Sequence, residues 1–141
     1  MSRHLERDLE RMGDLARHVA EAALVLSAPP VEIPGELSQM TDVSLSMVRQ
    51  SLDAFVNLDS QLARRVVRMD DTVDQFNDDL IAELTARMKQ SPDFVEPGLT
   101  LFTVVRHLER IADHATNIAE DVIYMIEGEI VKHRPEAIGE E

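Results

Sequence analysis

Two copies of one charged motif are the residues best suited to chemistry in this sequence. The motif E-R-x-x-D occurs at Glu10–Asp14 and again at Glu109–Asp113. A spacing of four residues places both carboxylates of a copy on one face of a helix, with Cβ atoms roughly 5–6 Å apart. Like charges at that distance repel, so the motif predicts either a bound cation or neighbouring positive side chains.

The two copies belong to a longer internal repeat. An ungapped offset of 99 residues aligns the segment that begins at Arg3 with the segment that begins at Phe102. Eight pairs of residues are then identical: Arg7/Arg106, Leu9/Leu108, Glu10/Glu109, Arg11/Arg110, Asp14/Asp113, Ala16/Ala115, Ala20/Ala119 and Glu21/Glu120. A core needs only apolar side chains of suitable volume, so the matching charges ask for an explanation beyond packing.

A third acidic row lies between the two motifs. Asp70, Asp74 and Asp78 recur at the same spacing of four residues. If the third and fourth helices pack antiparallel, residues at equal distances from their connection meet, and the row faces Glu109 and Asp113. The resulting repulsion would force protonation or be relieved by a multivalent cation. Ligation by carboxylates alone favours magnesium, manganese, calcium or iron.

The same spacing also allows a purely structural interpretation. An arginine precedes each motif carboxylate by three residues: Arg7 before Glu10, Arg11 before Asp14, Arg106 before Glu109 and Arg110 before Asp113. Such ion pairs on an exposed helix face contribute a few tenths of a kcal/mol. His18 and His114 border the motifs, and a lone histidine on a helix is more often a surface or capping residue than a ligand. The spacing alone leaves a metal site and an ion-paired face both open.

Apolar residues recur at three- and four-residue spacing through nearly the whole chain, which predicts four long helices that position these carboxylates. The predicted helices run from about Arg3 to Ser27, Glu36 to Asn57, Ser60 to Lys89 and Pro97 to Glu127. Pro29-Pro30 ends the first, Asp59 or Ser60 caps the third, Ser91-Pro92-Asp93 ends it, and Gly128 caps the fourth. Long helices with short connections predict an all-α fold, an antiparallel helical bundle of four long helices.

Composition excludes several classes of protein. The 141 residues are 44% hydrophobic and 29% charged, as in one globular domain. The absence of cysteine excludes disulfides, thiolate zinc sites and a cysteine nucleophile. A net charge of -13, with no Trp and one Tyr, argues against binding to nucleic acid. No apolar run is long enough to span a membrane and the amino terminus is charged, so we expect a cytoplasmic location.

The segment Leu108–Glu120, with the sequence LERIADHATNIAE, resembles the signature helix of the PhoU family of phosphate-signalling regulators. Glu10–Asp14 is similar to the first copy of that signature, and Asp70–Asp74 is similar to the preceding helix of the family's repeat. Members of the family contain two three-helix repeats. The resemblance implies that 1–28 is the last helix of a partial first repeat, 29–35 a Pro-rich linker, 36–132 a complete three-helix repeat, and 133–141 a polar tail.

The resemblance also implies a multinuclear metal cluster in each repeat, bound by E/D-x-x-x-D elements. The implied ligands are Asp70, Asp74, Glu109 and Asp113 in the second repeat and Glu10 and Asp14 in the first, with Asp78 and Asn117 as less certain additions. Iron or zinc is typical of the family, and manganese or magnesium are further candidates. The sequence departs from the family because the first two helices of the first repeat are missing. Either the chain is a truncated version or a fragment of a longer chain, or a second molecule supplies the missing face. Glu10 and Asp14 therefore lack the aspartate-bearing helix that the family would supply.

The function implied by the resemblance is negative regulation of phosphate uptake and phosphate-starvation signalling, without enzymatic activity. Such proteins act in the cytoplasm, peripheral to the membrane at most, between the ATPase subunit of a phosphate ABC transporter and a sensor histidine kinase. The alternatives are a soluble PhoU-like domain of a sodium/phosphate cotransporter, a carboxylate-bridged di-iron enzyme and a coiled-coil adaptor. None of the five histidines follows a glutamate by three residues, as the bundle di-iron sites require.

The first helix is expected to expose part of its apolar stripe, because the helices that would cover it are missing. Exposed apolar faces commonly mark contacts between proteins. We therefore expect self-association, as a homodimer or a larger homo-oligomer.

Overall fold

The computed structural model describes residues 2–27 and 31–133. Its four α-helices are α1 (Ser2–Leu26), α2 (Gly35–Asn57), α3 (Ser60–Gln90) and α4 (Val95–His133), and a 3-10 turn at Pro92–Phe94 separates α3 from α4. The predicted all-α bundle of four long helices is confirmed. None of the described helices combines the length and the apolar character needed to cross a membrane.

The fourth helix is the centre of the bundle. α1, α2 and α3 all pack against α4, and α2 and α3 also pack against each other, whereas α1 lies against α4 alone among the described helices. Asp8 of α1 contacts His114, and His18 stacks on His107, so α1 runs antiparallel to α4. The molecule is therefore a tight three-helix unit of α2, α3 and α4 with α1 added on one side.

The core follows the predicted helical periodicity. Its fully buried side chains include Met40, Met47 and Ala54 of α2, Val66, Val73, Leu80 and Leu84 of α3, and Leu101, Val105, Ala112, Ala115, Ile118, Ala119 and Val122 of α4. Ser44 and Ser51 of α2 are also fully buried, and the Ser44 hydroxyl donates to the carbonyl of Leu108 at 3.5 Å. Because small side chains allow a short distance between helix axes, α2 can lie close to α4.

Local features mark both ends of α3. Asp59 caps α3, because its carboxylate accepts a hydrogen bond from the Leu62 backbone N–H at 3.0 Å. Of the two residues predicted as the cap, Asp59 and Ser60, Asp59 is confirmed. At the other end of α3, a Cβ on Gly98 would lie only 2.8 Å from Cγ of Met88. The corner between α3 and α4 is packed so closely that a larger residue in place of Gly98 would force the Met88 side chain to move.

The predicted bounds of the fourth helix were wrong at both ends. α4 begins at Val95, because a proline in the first helical turn, here Pro97, loses no hydrogen bond that the helix needs. The helix also continues through Gly128, the predicted cap, to His133. An interior glycine costs about 1 kcal/mol relative to alanine, which weakens a helix without ending it.

Some of the predictions fall on residues that the structure does not describe. Pro29-Pro30, predicted to end the first helix, and 134–141, most of the predicted polar tail, lie outside the described residues. The division into a partial repeat, a linker, a complete repeat and a tail stays a prediction.

Candidate metal centre

Four of the predicted metal ligands face one another between α3 and α4. Asp70 and Asp74 lie one turn apart on α3, and Glu109 and Asp113 lie one turn apart on α4. The charges of Asp113 and Glu109 both raise the pKa of Asp70, while Asp74 raises the pKa of Glu109 and of Asp113. The two rows are thus close enough to repel each other, and the antiparallel register predicted from the sequence is confirmed. We call these four residues the acidic cluster.

Within the acidic cluster, Asp70 is the carboxylate with a buried oxygen that lacks a hydrogen-bond partner among the described residues. Burial, followed by repulsion from Asp74 and Asp113, raises the pKa of Asp70 from 3.8 to about 6. Its Oδ1 atom is buried and has no hydrogen-bond partner among the described residues. A half-buried, repelled and unpaired carboxylate is stabilised either by a proton or by a cation.

The two carboxylates on α4 are perturbed in the same direction. Burial comes first in raising the pKa of Glu109, followed by repulsion from Asp113 and Asp74, with Arg106 acting in the opposite direction. For Asp113, burial again comes first and repulsion from Asp74 second. For both residues, burial and the neighbouring carboxylates outweigh the nearby positive charges, so the neutral acid is favoured. The negative charge of the acidic cluster is therefore only partly compensated by nearby positive side chains.

The predicted arginine pairs do not form at the acidic cluster. His114 and Arg110 lower the pKa of Asp113, but only at a distance. Within the described part of the chain, no ion pair at 4.0 Å or less joins an arginine to Glu109 or Asp113. The structure therefore does not support the ion-paired interpretation of this copy of the motif.

The chemistry of the acidic cluster fits a hard or borderline cation. Carboxylate oxygens are the ligands that such cations prefer, and the unpaired oxygen of Asp70 provides a free donor atom. As placed, however, no three His, Cys, Asp or Glu side chains among the described residues converge closely enough to hold a metal ion. Asp74 and Asp113 lie at the exposed edge of the acidic cluster, so their side chains are free to change rotamer, although the neighbouring protein removes enough water from Asp113 to raise its pKa. Metal binding by the acidic cluster stays a prediction.

The first copy of the motif has a different environment. Glu10 and Asp14 lie exposed on α1, which does not pack against the acidic row of α3. The nearest cation to Asp14 is Arg17 rather than the predicted Arg11, at 3.9 Å, and both side chains are more than 60% exposed, at 64% and 63%. Glu10 and Asp14 therefore lie apart from the acidic cluster. No acidic row of another described helix faces them, and their role in metal binding stays a prediction.

Sequence reasoning missed a buried polar contact between α1 and α4. Asp8 is only 8% exposed, and its Oδ1 lies 2.7 Å from Nδ1 of His114. His114 is thus a partly buried hydrogen-bond partner rather than a surface or capping residue. The available signal was the position of Asp8 on the apolar stripe of α1, between Leu5 and Met12, where a polar side chain must find a partner.

Two other histidines of this interface stack on each other. The rings of His18 and His107 lie 5.4 Å apart between centroids. Burial, then the neighbouring His18, lowers the pKa of His107, and its Nδ1 is buried without a partner among the described residues. A neutral His107 is therefore the form that this packing favours.

The two additional candidates differ in position. Asp78 raises the pKa of Glu109 and so lies near the acidic cluster. Asn117 instead lines a polar pocket of about 390 Å³ between α1 and α4, together with Asp8 and His114. Only Asp78 is placed where it could extend the acidic cluster.

The comparison with known families agrees with this architecture. The family described as "PhoU domain" matches residues 37–122, which include α2, α3 and most of α4. The chain belongs to the PhoU family. The matched range contains all four residues of the acidic cluster, while the first motif copy on α1 lies outside it.

Curated relatives and solved structures extend the match to α1. A phosphate-specific transport system accessory protein PhoU homolog from Aquifex aeolicus is 43% identical over 128 residues, covering 90% of this chain and 58% of that protein. The homolog from Synechocystis is 42% identical over 125 residues, covering 88% and 55% respectively. The crystal structure of PhoU from Pseudomonas aeruginosa superposes with a TM-score of 0.82 at 39% identity, covering 86% of this chain and 59% of that one.

The PhoU fold of this chain is thus shown by both sequence and structure. The chain spans a little over half the length of the relatives it matches, as the missing helices led us to expect. A solved PhoU from Streptococcus pneumoniae is named a phosphate transport system regulatory protein. These relatives are named as accessory or regulatory proteins rather than as enzymes.

Proposed function

We propose that this chain is a non-enzymatic regulator of phosphate uptake and phosphate-starvation signalling. It acts in the cytoplasm through metal-dependent contacts with the ATPase subunit of a phosphate ABC transporter and with a sensor histidine kinase. Membership of the PhoU family supports the role in phosphate transport. The single observation that carries the metal dependence is the acidic cluster, whose carboxylates repel one another and include a buried oxygen of Asp70 without a hydrogen-bond partner among the described residues.

The acidic cluster is the proposed metal centre of this chain. Asp70 and Asp74 would bind the metal from α3, and Glu109 and Asp113 would bind it from α4. Iron or zinc is the proposed metal, with manganese or magnesium as alternatives. The positive charge would remove the repulsion between the two rows and hold α3 against α4, which gives a partner one defined surface to recognise.

The charge of the chain supports a protein partner rather than a lipid one. With a net charge of -13, the surface is complementary to a basic patch on another protein. The same charge disfavours direct contact with anionic lipid head groups. A peripheral position at the membrane would therefore be maintained by contact with the transporter or the kinase.

The metal dependence can be tested by elemental analysis of protein purified without a histidine tag. The repeat offers a matched control. The α4 variant carries Glu109→Gln and Asp113→Asn, and the α1 variant carries Glu10→Gln and Asp14→Asn. Both variants lose the same residue types at the same spacing. We expect the wild type and the α1 variant to retain metal and the α4 variant to lose most of it. Metal-free wild-type protein, under conditions that leave metal in a known metalloprotein, would contradict the proposal.

The partner contacts need a separate experiment. The purified chain is passed over the immobilised ATPase subunit and over the cytoplasmic part of the kinase, with and without a chelator. We expect capture that weakens after chelation and in the α4 variant but not in the α1 variant. If capture is equally strong with and without the chelator, only the metal dependence is refuted. If neither protein captures the chain, the proposed partners are refuted.

A further inference from the structure

The polar pocket of about 390 Å³ between α1 and α4 contains two arginines that the metal centre does not use. Arg7 and Arg11 line it from α1, where a spacing of four residues puts both side chains on one face, and His4 lines it one turn earlier. Among the described residues, no carboxylate lies within 4.0 Å of either guanidinium group. No residue of the acidic cluster lines this space, which we call the interhelical pocket.

The internal repeat shows that these arginines stay accessible on a helix with several neighbours. Arg106 and Arg110 of α4 correspond to Arg7 and Arg11 at the repeat offset of 99. α4 is covered by α1, α2 and α3, and yet Arg106 and Arg110 are exposed. The exposure of Arg7 and Arg11 is therefore a property of their side of the helix, and it does not require that a neighbour of α1 be absent.

α4 provides polar groups opposite the two arginines. Nδ1 of His114 lies 2.7 Å from the carboxylate of Asp8, which leaves Nε2 as the ring nitrogen available to a ligand. Asn117 lines the interhelical pocket three residues further along α4, and its amide N–H groups are donors. Guanidinium and amide donors together suit the oxygens of a small anion. The volume is large enough for such an anion with its bound waters.

The carboxylates of the interhelical pocket decide which anion fits. Glu120 is exposed and Asp121 is half-buried, and an ionised carboxylate can only accept hydrogen bonds. Sulfate has no proton to donate, so a carboxylate repels it. Hydrogenphosphate keeps one proton near neutral pH and can donate it to a carboxylate, while its other oxygens accept from the arginines. A pocket with both kinds of side chain therefore favours hydrogenphosphate over sulfate.

We propose that the interhelical pocket binds inorganic phosphate through Arg7, Arg11 and Asn117, with Asp121 accepting the hydrogen bond from the proton of the anion. The choice of phosphate rests on the proposed function in phosphate regulation as well as on the chemistry of the lining. Because the pocket has a wall on each helix, bound phosphate stabilises the packing of α1 against α4. The chain then responds to phosphate itself at a site separate from the acidic cluster.

Isothermal titration calorimetry of the protein as purified, with inorganic phosphate, tests this site. We expect one phosphate per chain, and a dissociation constant at least about tenfold higher in the Arg7→Gln/Arg11→Gln variant. The matched control is Arg106→Gln/Arg110→Gln, which removes the equivalent arginines outside the pocket and should leave the affinity unchanged. Sulfate should bind at least about tenfold more weakly than phosphate, and Asp121→Asn should reduce that preference.

The α4 variant distinguishes the interhelical pocket from the metal centre. Phosphate binding that persists in the α4 variant and weakens in Arg7→Gln/Arg11→Gln supports the proposal. Binding that is lost in the α4 variant and unchanged in Arg7→Gln/Arg11→Gln would place phosphate on the metal and overturn it. Absence of binding to the wild type, or equal loss in the two arginine variants, would also overturn it, while the proposed regulation through partner proteins would stand.

Discussion

The α1 and α4 copies of the E-R-x-x-D motif have the same residues but different surroundings. Asp113 on α4 lies opposite the acidic row of α3, and burial together with Asp74 raises its pKa. Asp14 on α1 is 64% exposed and lies near Arg17. The motif therefore specifies only which side chains share a helix face, and the neighbouring helix decides whether they form a cluster or a solvated ion pair.

The number of neighbouring helices accounts for this difference. α4 is the central helix and is covered by α1, α2 and α3, while α1 is covered by α4 alone among the described helices. Equivalent residues of the repeat therefore differ in burial, in charge environment and in the space around them. Each of these three differences can be measured with a pair of equivalent or analogous substitutions.

The largest expected effect concerns burial. Leu108 is 2% exposed and Leu9, its equivalent, is 40% exposed. We expect Leu108→Ala to lower the free energy of unfolding by about 3 kcal/mol, because it leaves a cavity in the core. Leu9→Ala should lower it by less than about 1 kcal/mol, because most of the side chain is already in water. Urea denaturation followed by circular dichroism at low protein concentration measures both, and similar losses would contradict the comparison.

A smaller effect is expected from the charge environment of the metal-free protein. The pKa of Asp70 in the folded state is raised to about 6, so its contribution to stability is full at low pH and is lost as the pH rises from 3.8 towards 6. Asp70→Asn should therefore raise the free energy of unfolding by about 1 kcal/mol near pH 7.5 and leave it unchanged below about pH 4. This value is well under the full effect of the shift, because solvent screens a partly buried carboxylate.

The control for that prediction is Asp14→Asn on the exposed copy. Because Asp14 is largely in solvent, its substitution should change stability by no more than a few tenths of a kcal/mol at either pH. Thermal or urea unfolding of both variants at the two pH values provides the measurement. A gain in stability that is the same at both pH values would show that repulsion within the acidic cluster is not its cause.

An effect of about the same size or smaller is expected from the space around two glycines. A Cβ at Gly98 would lie 2.8 Å from Cγ and 2.9 Å from Sδ of Met88, whereas a Cβ at Gly13 would meet nothing within 4 Å. Gly13→Ala should raise the free energy of unfolding by about 0.5–1 kcal/mol through helix propensity. Gly98→Ala should lower it by about 1 kcal/mol, because atoms in the middle of the Met88 side chain must move. Chemical denaturation distinguishes the two, since the expected signs are opposite.

Much of the fold could be predicted because each helix carries its own periodic and terminal signals. The cap at Asp59 and the break after α3 depend on hydrogen bonds and dihedral angles within a few residues. The continuation of α4 through Gly128 could not be predicted this way, because glycine weakens a helix by an amount that packing elsewhere can offset.

The acidic cluster was predictable in part and the contact at His114 was not. Asp70 and Glu109 were expected to face each other because a short connection forces α3 and α4 to be antiparallel neighbours. Asp8 and His114 are far apart in sequence and meet only because α1 docks on α4. The partner of a buried polar side chain depends on which helices are neighbours, and the periodicity of one helix contains no such information.

The sequence by itself determined four helices, an acidic motif in two copies and a third acidic row, because periodicity and spacing act within one helix. The tertiary structure alone decided that α4 lies at the centre and α1 at the edge, since that choice depends on how much apolar surface each arrangement buries. It thereby decided that one copy of the motif joins an acidic cluster while the other, identical in its charged residues, lies in solvent on α1, which packs against α4 alone among the described helices.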